Sequence, residues 1–298
     1  MNVRPLAGET ATYLLYRFMS WLGQILPTRT GRSLYERASR LFYRLAPGTR
    51  ATVSANQAQV LGRPPEDPLV QASTREAFAL YARYWFDTFN VLGWSDEQVI
   101  DAFRFEGIEH VEKALAEGKG VVIALPHTGN WDVGGRAMGL RLGPVVSVAE
   151  HLRPERLFEL FLEHRSRLGI DIIDLASEHV GRQLTQRLEQ NRIVALVADR
   201  DLSGGGVEVE MFGRTRRMPA GPALVALSAG APLISGPTYT TRYGWVEVLT
   251  PVSSEPTGRR KDDVIGLTRA LAAAFEKAIA AAPSDWHLFQ PGWDSKDP

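Results

Sequence analysis

The chain contains no cysteine, which excludes disulfides, thiolate catalysis and cysteine-ligated metal, and fits a reducing compartment. It also lacks an excess of either charge. Its 34 basic and 34 acidic residues cancel, against the dominant positive field that general nucleic-acid binding requires. No apolar run is long enough to span a bilayer. The best stretch, Ala11 to Leu26, is interrupted by Arg17 and Gln24 and falls short of the roughly 20 residues needed. No apolar core followed by a small-residue cleavage site marks a secretory signal, so a cytoplasmic location is expected. Two catalytic signatures are missing as well: there is no G-x-S-x-G serine elbow, and the six histidines are scattered without an H-E-x-x-H.

What is present is an ordinary globular composition, 44% hydrophobic and 23% charged, which excludes disorder and low complexity over the 298 residues. A single core with an N-terminal helical extension is expected, residues 1–94 forming the extension and 107–298 the α/β core. The basic residues are unevenly spread. Between Thr10 and Arg50 seven arginines face a single acid, Glu36, so the rest of the chain is net acidic. Within Ser33 to Leu45, helical spacing puts Leu34, Ala38, Leu41 and Leu45 on one face and Arg37, Arg40 and Arg44 on the adjoining one. This pattern suits attachment to an anionic membrane, and equally a solvated arginine face on a helix packed against the core. Helices are also expected over Arg50 to Leu61 and over Leu69 to Leu92, where the aromatics read as core. Ser95 with Gln98 forms a capping box for a further short helix.

From Gly118 onward, short β-branched runs alternate with helical patterns. Strands are expected at 120–125, 144–149, 170–173, 193–198, 207–212, 232–240 and 245–250, the last two paired as a hairpin through Arg242, Tyr243 and Gly244. Helices are expected over Arg153 to Leu168, His179 to Glu189 and Asp262 to Ala281. This alternation predicts an α/β fold with a mainly parallel central sheet of about seven strands flanked by helices.

Sites in such sheets gather where strands end and helices begin. The segment ALPHTGNWDVGG lies at such a junction: the strand ends at Leu125, Pro126 breaks it, Gly129 permits a tight turn and Asn130 is a candidate N-cap for a helix from Trp131. His127 and Asp132 are five residues apart, about 140° around an ideal helix, so one continuous helix would not let them meet. A loop before a helix lets a carboxylate hold one imidazole nitrogen while the other takes a proton. The structural alternatives are a histidine closing a strand end and an acid favoured by the helix dipole.

HTGNWD matches the H-x4-D signature of the glycerolipid acyltransferase superfamily. With EHRSRLGI (163–170), ADRDLSGGGVEVEMFG (198–213), MPAGPALVALSAGAPLI (218–234) and PSDWHLFQPGW (283–293), the chain resembles the lipid A late acyltransferase branch. Within it, the similarity is greatest to the actinobacterial phosphatidylinositol mannoside acyltransferases and covers most of the chain. The resemblance implies a glycerol-3-phosphate acyltransferase-like fold. It also implies transfer of a palmitoyl group from acyl-CoA, a co-substrate rather than a resident cofactor, to a mannose hydroxyl at the inner face of the plasma membrane. His127 would be the catalytic base and Asp132 its relay. Arg165 and Thr128 would bind substrate. No metal is implied.

Further expectations attach to single residues. Of Asp199 and Asp201, after the apolar strand 193–198, Asp201 is favoured as an acid supporting the histidine. Gly206 and Val207, at the end of the glycine run, would border the thioester or acyl chain, unless the run is only a flexible loop. Arg214, Arg216 and Arg217 would meet phosphates or form a solvated turn. Two rival readings stand beside acyl transfer. Asp199 and Asp201 could be the metal-binding D-x-D of a glycosyltransferase, or the chain could be a lipid-binding protein without catalysis. A monomer is expected.

Overall fold

The computed structural model describes residues 3–202 and 204–293, with side chains from residue 8 onward; Ser203, inside the glycine-rich segment singled out above, lies outside the described residues. Four helices open the chain: α1 (Val3–Ile25), α2 (Thr28–Leu45), α3 (Pro47–Leu61) and α4 (Pro68–Asn90). Proline in the first turn of α3 and α4 is tolerated because those N–H groups have no helical partner anyway. The line of α2 that packs inward is Gly31, Tyr35 and Ser39, four residues apart; a Cβ at Gly31 would lie 2.0 Å from the Phe86 ring of α4. The leucine face therefore does not meet the core. Leu34, Leu41 and Leu45 are 42%, 57% and 71% exposed. Asp87 of α4, fully buried, accepts from Arg32 of α2 at 2.7 Å and from Arg83 at 3.2 Å, tying the two helices together.

The remainder alternates: α5 (Asp96–Ala102), β1 (Phe103–Glu106), α6 (Glu109–Ala116), β2 (Val121–Leu125), α7 (Trp131–Leu142), β3 (Val145–Ala149), α8 (Glu155–Arg167), β4 (Ile170–Asp174), α9 (Val180–Glu189) and β5 (Ile193–Val197). Then come β6 (Val207–Met211), β7 (Arg214–Met218), α10 (Gly221–Ala229), β8 (Leu233–Ser235), β9 (Thr238–Thr240), β10 (Trp245–Val248), β11 (Thr250–Val252) and α11 (Arg260–Ala281). The capping box of Ser95 and Gln98 is formed at the start of α5.

The central sheet has six strands in the order β11-β8-β2-β5-β3-β4, parallel except for β11 at its edge. In β2, Val121, Ile123 and Leu125 face a cluster with Val111 of α6 and Met138 of α7, while Val122 and Ala124 face α10 and α11 through Ala223, Leu271 and Phe275. Burial on both faces explains why this strand reads as an unbroken apolar run.

The predicted strands divide differently from the expected seven. Run 207–212 leaves the central sheet and pairs with β7 in a hairpin, a strand hidden in the sequence by its three arginines. Run 232–240 breaks at Gly236 and Pro237, where a Cβ on Gly236 would lie 2.6 Å from Glu247 and 2.7 Å from Ile123, so that only glycine fits. Its second half, β9, pairs antiparallel with β10 across the expected 242–244 turn, and β10 also pairs in parallel with β1, unforeseen in the sequence.

Glu247 of β10 is buried against Gly236, 3% exposed, and burial pushes its carboxyl up to about 8 from an ordinary 4.5. A carboxyl that holds its proton more tightly in the folded state contributes stability fully present below pH 4.5 and lost as pH rises through about 8. Urea unfolding at pH 5 and pH 8 should show stability falling by up to roughly 4 kcal/mol, and Glu247→Gln should remove most of that fall.

Candidate active site

β2 and β5 lie side by side with Leu125 opposite Val197, and the ladder continues as Ala198 N–H donates to Leu125 O at 2.8 Å. Two residues past each strand end, His127 and Asp199 therefore stand at the same level. Asp199 Oδ1 is hydrogen-bonded to His127 Nδ1, and Asp199 Oδ2 accepts the His127 backbone N–H at 3.1 Å. With Nδ1 bound, Nε2 is the ring nitrogen left to exchange a proton. Asp199 is fully buried. Burial alone would raise its carboxyl, but His127, the Trp286 indole N–H and the nearby Arg216 outweigh it and hold the group far below the usual carboxylate range.

The loop after His127 is fixed from three directions. Gly129 adopts φ +59°, and a Cβ there would lie 2.6 Å from Thr238 O, so the turn admits only glycine. Asn130 caps α7, its Oδ1 accepting Val133 N–H at 3.0 Å. The C-terminal tail crosses the loop as a strap. His287 N–H donates to His127 O at 2.7 Å, Gly129 N–H donates to Asp285 O at 3.3 Å, and His287 Nε2 lies 3.0 Å from Gly129 O. Burial pushes His287 down to about 3, so it is neutral and its Nε2–H is the donor. Trp286 Nε1 donates to Asp199 Oδ2 at 2.8 Å, and the Arg216 guanidinium, 5.7 Å from the Trp286 ring, hydrogen-bonds the Asp199 carbonyl.

Asp132, expected to be the partner of His127, has other partners. It is buried in the first turn of α7, where Oδ1 accepts from Arg165 Nε at 2.8 Å and Oδ2 from the Tyr84 hydroxyl at 2.7 Å. Burial would raise its carboxyl, and the Arg165 guanidinium overcomes this and lowers it. The pairing fails because α7 begins at Trp131 and carries Asp132 toward α4 and α8, while the sheet register presents Asp199 to His127.

Other expected residues are likewise relocated. Asp201 does not support the histidine: it lies two residues beyond Asp199, and its carboxylate accepts the Gly204 and Gly206 N–H groups at 3.1 and 2.7 Å, closing the loop before β6. Gly206 is required there by packing, since a Cβ would lie 2.4 Å from Met218 O. Val207 pairs with Met218 and packs on the main core rather than bordering the His127 cleft. Thr128 is buried and turned inward, its hydroxyl accepting Thr238 N–H at 3.2 Å. The two carboxylates of the D-x-D reading thus serve separate partners. Arg165, by contrast, lines the same cleft as His127. The walls of that cleft include Trp131, Val148, Leu152, Phe158, Phe161 and Leu162. A largely apolar trough whose lining also carries the Asp199-bound His127 and two guanidinium groups, Arg165 and Arg200, suits a long amphiphile.

A model of the bacterial lipid A biosynthesis acyltransferase family matches residues 4–295. The chain belongs to this family. A phosphatidylinositol mannoside acyltransferase of Mycobacterium tuberculosis is 37% identical over 298 residues, covering 97% of this chain and 91% of that protein. Its counterpart in Mycolicibacterium smegmatis is 35% identical over 291 residues, covering 97% and 93%. A lipid A biosynthesis acyltransferase of Haemophilus influenzae is 23% identical over 211 residues, covering 70% and 64%. In this member of the acyltransferase family, His127 and Trp131 of the H-x4-D segment line the cleft. Sequence reasoning undervalued Asp199, read Arg216 as a phosphate contact or part of a solvated turn where it is buried against the Asp199 carbonyl, and missed Tyr84, Trp286 and His287 as parts of the site. For Asp199 a signal existed, since equal offsets past two adjacent parallel strands place residues side by side.

Trp286→Phe keeps an aromatic ring, though a smaller one, and removes one of the donors to Asp199. Acyl transfer by this variant should fall roughly ten- to a hundredfold in kcat with KM little changed, measured by initial rates on protein whose melting temperature stays near that of the parent.

Proposed function

We propose that this protein transfers a long fatty acyl chain, palmitoyl in the family resemblance, from acyl-CoA to a mannose hydroxyl of a phosphatidylinositol mannoside. The observation that carries the reading is the His127–Asp199 pair opening into the apolar cleft; the names of the relatives at 37% and 35% identity supply the substrate class. The fold is read as glycerol-3-phosphate acyltransferase-like.

The chemistry needs a base, a place for an apolar chain and a cation. His127 Nε2 takes the proton of the acceptor hydroxyl as its oxygen attacks the thioester carbonyl. The buried Asp199 carboxylate stabilises the imidazolium that forms. The tetrahedral oxyanion then collapses, the C–S bond breaks, and the imidazolium returns its proton to the departing thiolate. No acyl-enzyme is required, and no metal or other cofactor enters. Arg165, held at the cleft by Asp132, is the side chain suited to an anionic group of donor or acceptor. Asp132 therefore acts through Arg165, as a positioning residue.

The enzyme works as a monomer at the cytoplasmic face of the plasma membrane, with residues 1–94 toward the lipid and 107–298 as the catalytic core. Among the described residues no helix is long and apolar enough to cross a membrane. Exposed Leu14, Leu15, Phe18 and Trp21 of α1, together with Leu34, Leu41 and Leu45 of α2 beside its arginines, support peripheral attachment.

The deciding assay is transfer from radiolabelled palmitoyl-CoA to a phosphatidylinositol mannoside extract in the presence of chelator, beside palmitoyl-acyl carrier protein as competing donor. His127→Ala and Asp199→Asn should each lose roughly 10³-fold in rate. Asp132→Asn should raise KM more than it lowers kcat, and Asp201→Asn should retain transfer. Unchanged activity without His127, or activity only with a sugar nucleotide and divalent metal, would sink the reading; preference for the carrier-protein thioester would overturn the donor alone.

A further inference from the structure

A groove runs between α2 and α4, outside the cleft that holds His127, with Tyr43, Phe78 and Ala79 among its lining. The Phe78 ring packs against Phe42 and Tyr43 at 5.7 and 5.2 Å, giving the groove an aromatic floor. Its rim carries three exposed arginines, Arg40 and Arg44 from α2 and Arg75 from α4. None of them makes a hydrogen bond or ion pair among the described residues. The acid beside them, Glu76, accepts from the Ser284 hydroxyl at 3.1 Å.

Arg40 and Arg44 are four residues apart on one helix, a like-charge spacing that weakens it, and Arg75 adds a third positive charge. An anion seated among the three would relieve that repulsion and accept forked hydrogen bonds from planar guanidinium groups. The same stretch of α2 also exposes apolar side chains: Leu41, Phe42 and Leu45, interleaved with the arginines in sequence, are 57%, 49% and 71% exposed, more apolar surface than a free phosphate or nucleotide could cover. A phosphate attached to acyl chains in a bilayer meets both demands.

We propose that the α2–α4 groove docks the phosphate of an anionic phospholipid at the bilayer surface, as a lipid separate from the acyl donor and acceptor. The proposal rests on the membrane-facing reading of residues 1–94 given above and adds to it a defined headgroup site.

The test is co-sedimentation of the full chain with vesicles of phosphatidylcholine alone and of phosphatidylcholine mixed with phosphatidylglycerol. Three proteins are compared: the parent, the groove variant Arg40→Ala/Arg44→Ala/Arg75→Ala, and a control of equal charge, Arg141→Ala/Arg182→Ala/Arg269→Ala, whose arginines are exposed on other helices. Affinity for the anionic vesicles should fall roughly a hundredfold in the groove variant and less than about threefold in the control. Equal losses in both, or none in the groove variant while the parent binds, would overturn the groove and leave peripheral attachment standing. Failure of the parent to bind would overturn both. Acyl transfer to detergent-dispersed acceptor should be unchanged in the groove variant; its loss there would place these arginines at the substrate site and overturn the assignment.

Discussion

The structure of the site depends on one buried charge. An ionised carboxylate in the interior costs several kcal/mol unless donors surround it, and Asp199 gathers its donors from segments far apart in the chain. The imidazole and backbone of His127, the indole of Trp286, and Arg216 behind its carbonyl all converge on this residue. Each of these groups also does something for the loop that carries it. The tail must return from α11 across the sheet to supply Trp286, and in doing so it brings His287 onto the carbonyls of the H-x4-D loop.

A second buried carboxylate, Asp132, is neutralised in a different way. Arg165 and Tyr84 come from α8 and α4, so this pair links the catalytic loop to the helical N-terminal region. The two acids divide the work that a single relay residue was expected to do. Asp199 faces the imidazole, and Asp132 fixes a cation in the lining of the same cleft. The H-x4-D spacing then marks a strand end and a helix start, each aimed at a separate partner.

Much of this was legible in sequence. The apolar run of β2, the breaking Pro126, Gly129 and the capping Asn130 locate the loop correctly, because their constraints are local. The parallel sheet and its helices followed from alternation for the same reason. What was not legible depends on register and on distant segments. Choosing Asp199 over Asp201 requires knowing that β5 lies beside β2 with Val197 opposite Leu125. Strand β7 was hidden because its inward residues, Arg216 and Met218, include an arginine buried for the sake of Asp199. The α2 leucines suited a membrane face and a core face equally, because a helical period serves either; only the packing of Gly31, Tyr35 and Ser39 on α4 shows that they face away from the core.

That orientation of α2 gives α4 two roles. Along one side α4 receives Gly31 and offers Asp87 to Arg32; along another, Tyr84 reaches Asp132, and Tyr81 stacks 4.3 Å from Phe289 and 5.3 Å from His287. Phe78, beneath the arginine-rimmed groove, is 4.9 Å from the same Phe289. Rings this closely packed move together or not at all, since interiors at crystal density leave no slack for independent shifts. The helices expected from sequence to form the N-terminal extension of a single core thus pack directly behind the site, on Asp132 and the His287 strap. A cut between them and the α/β core would remove the Tyr84 donor from Asp132, expose the aromatic face under the tail and leave a buried acid with one partner instead of two.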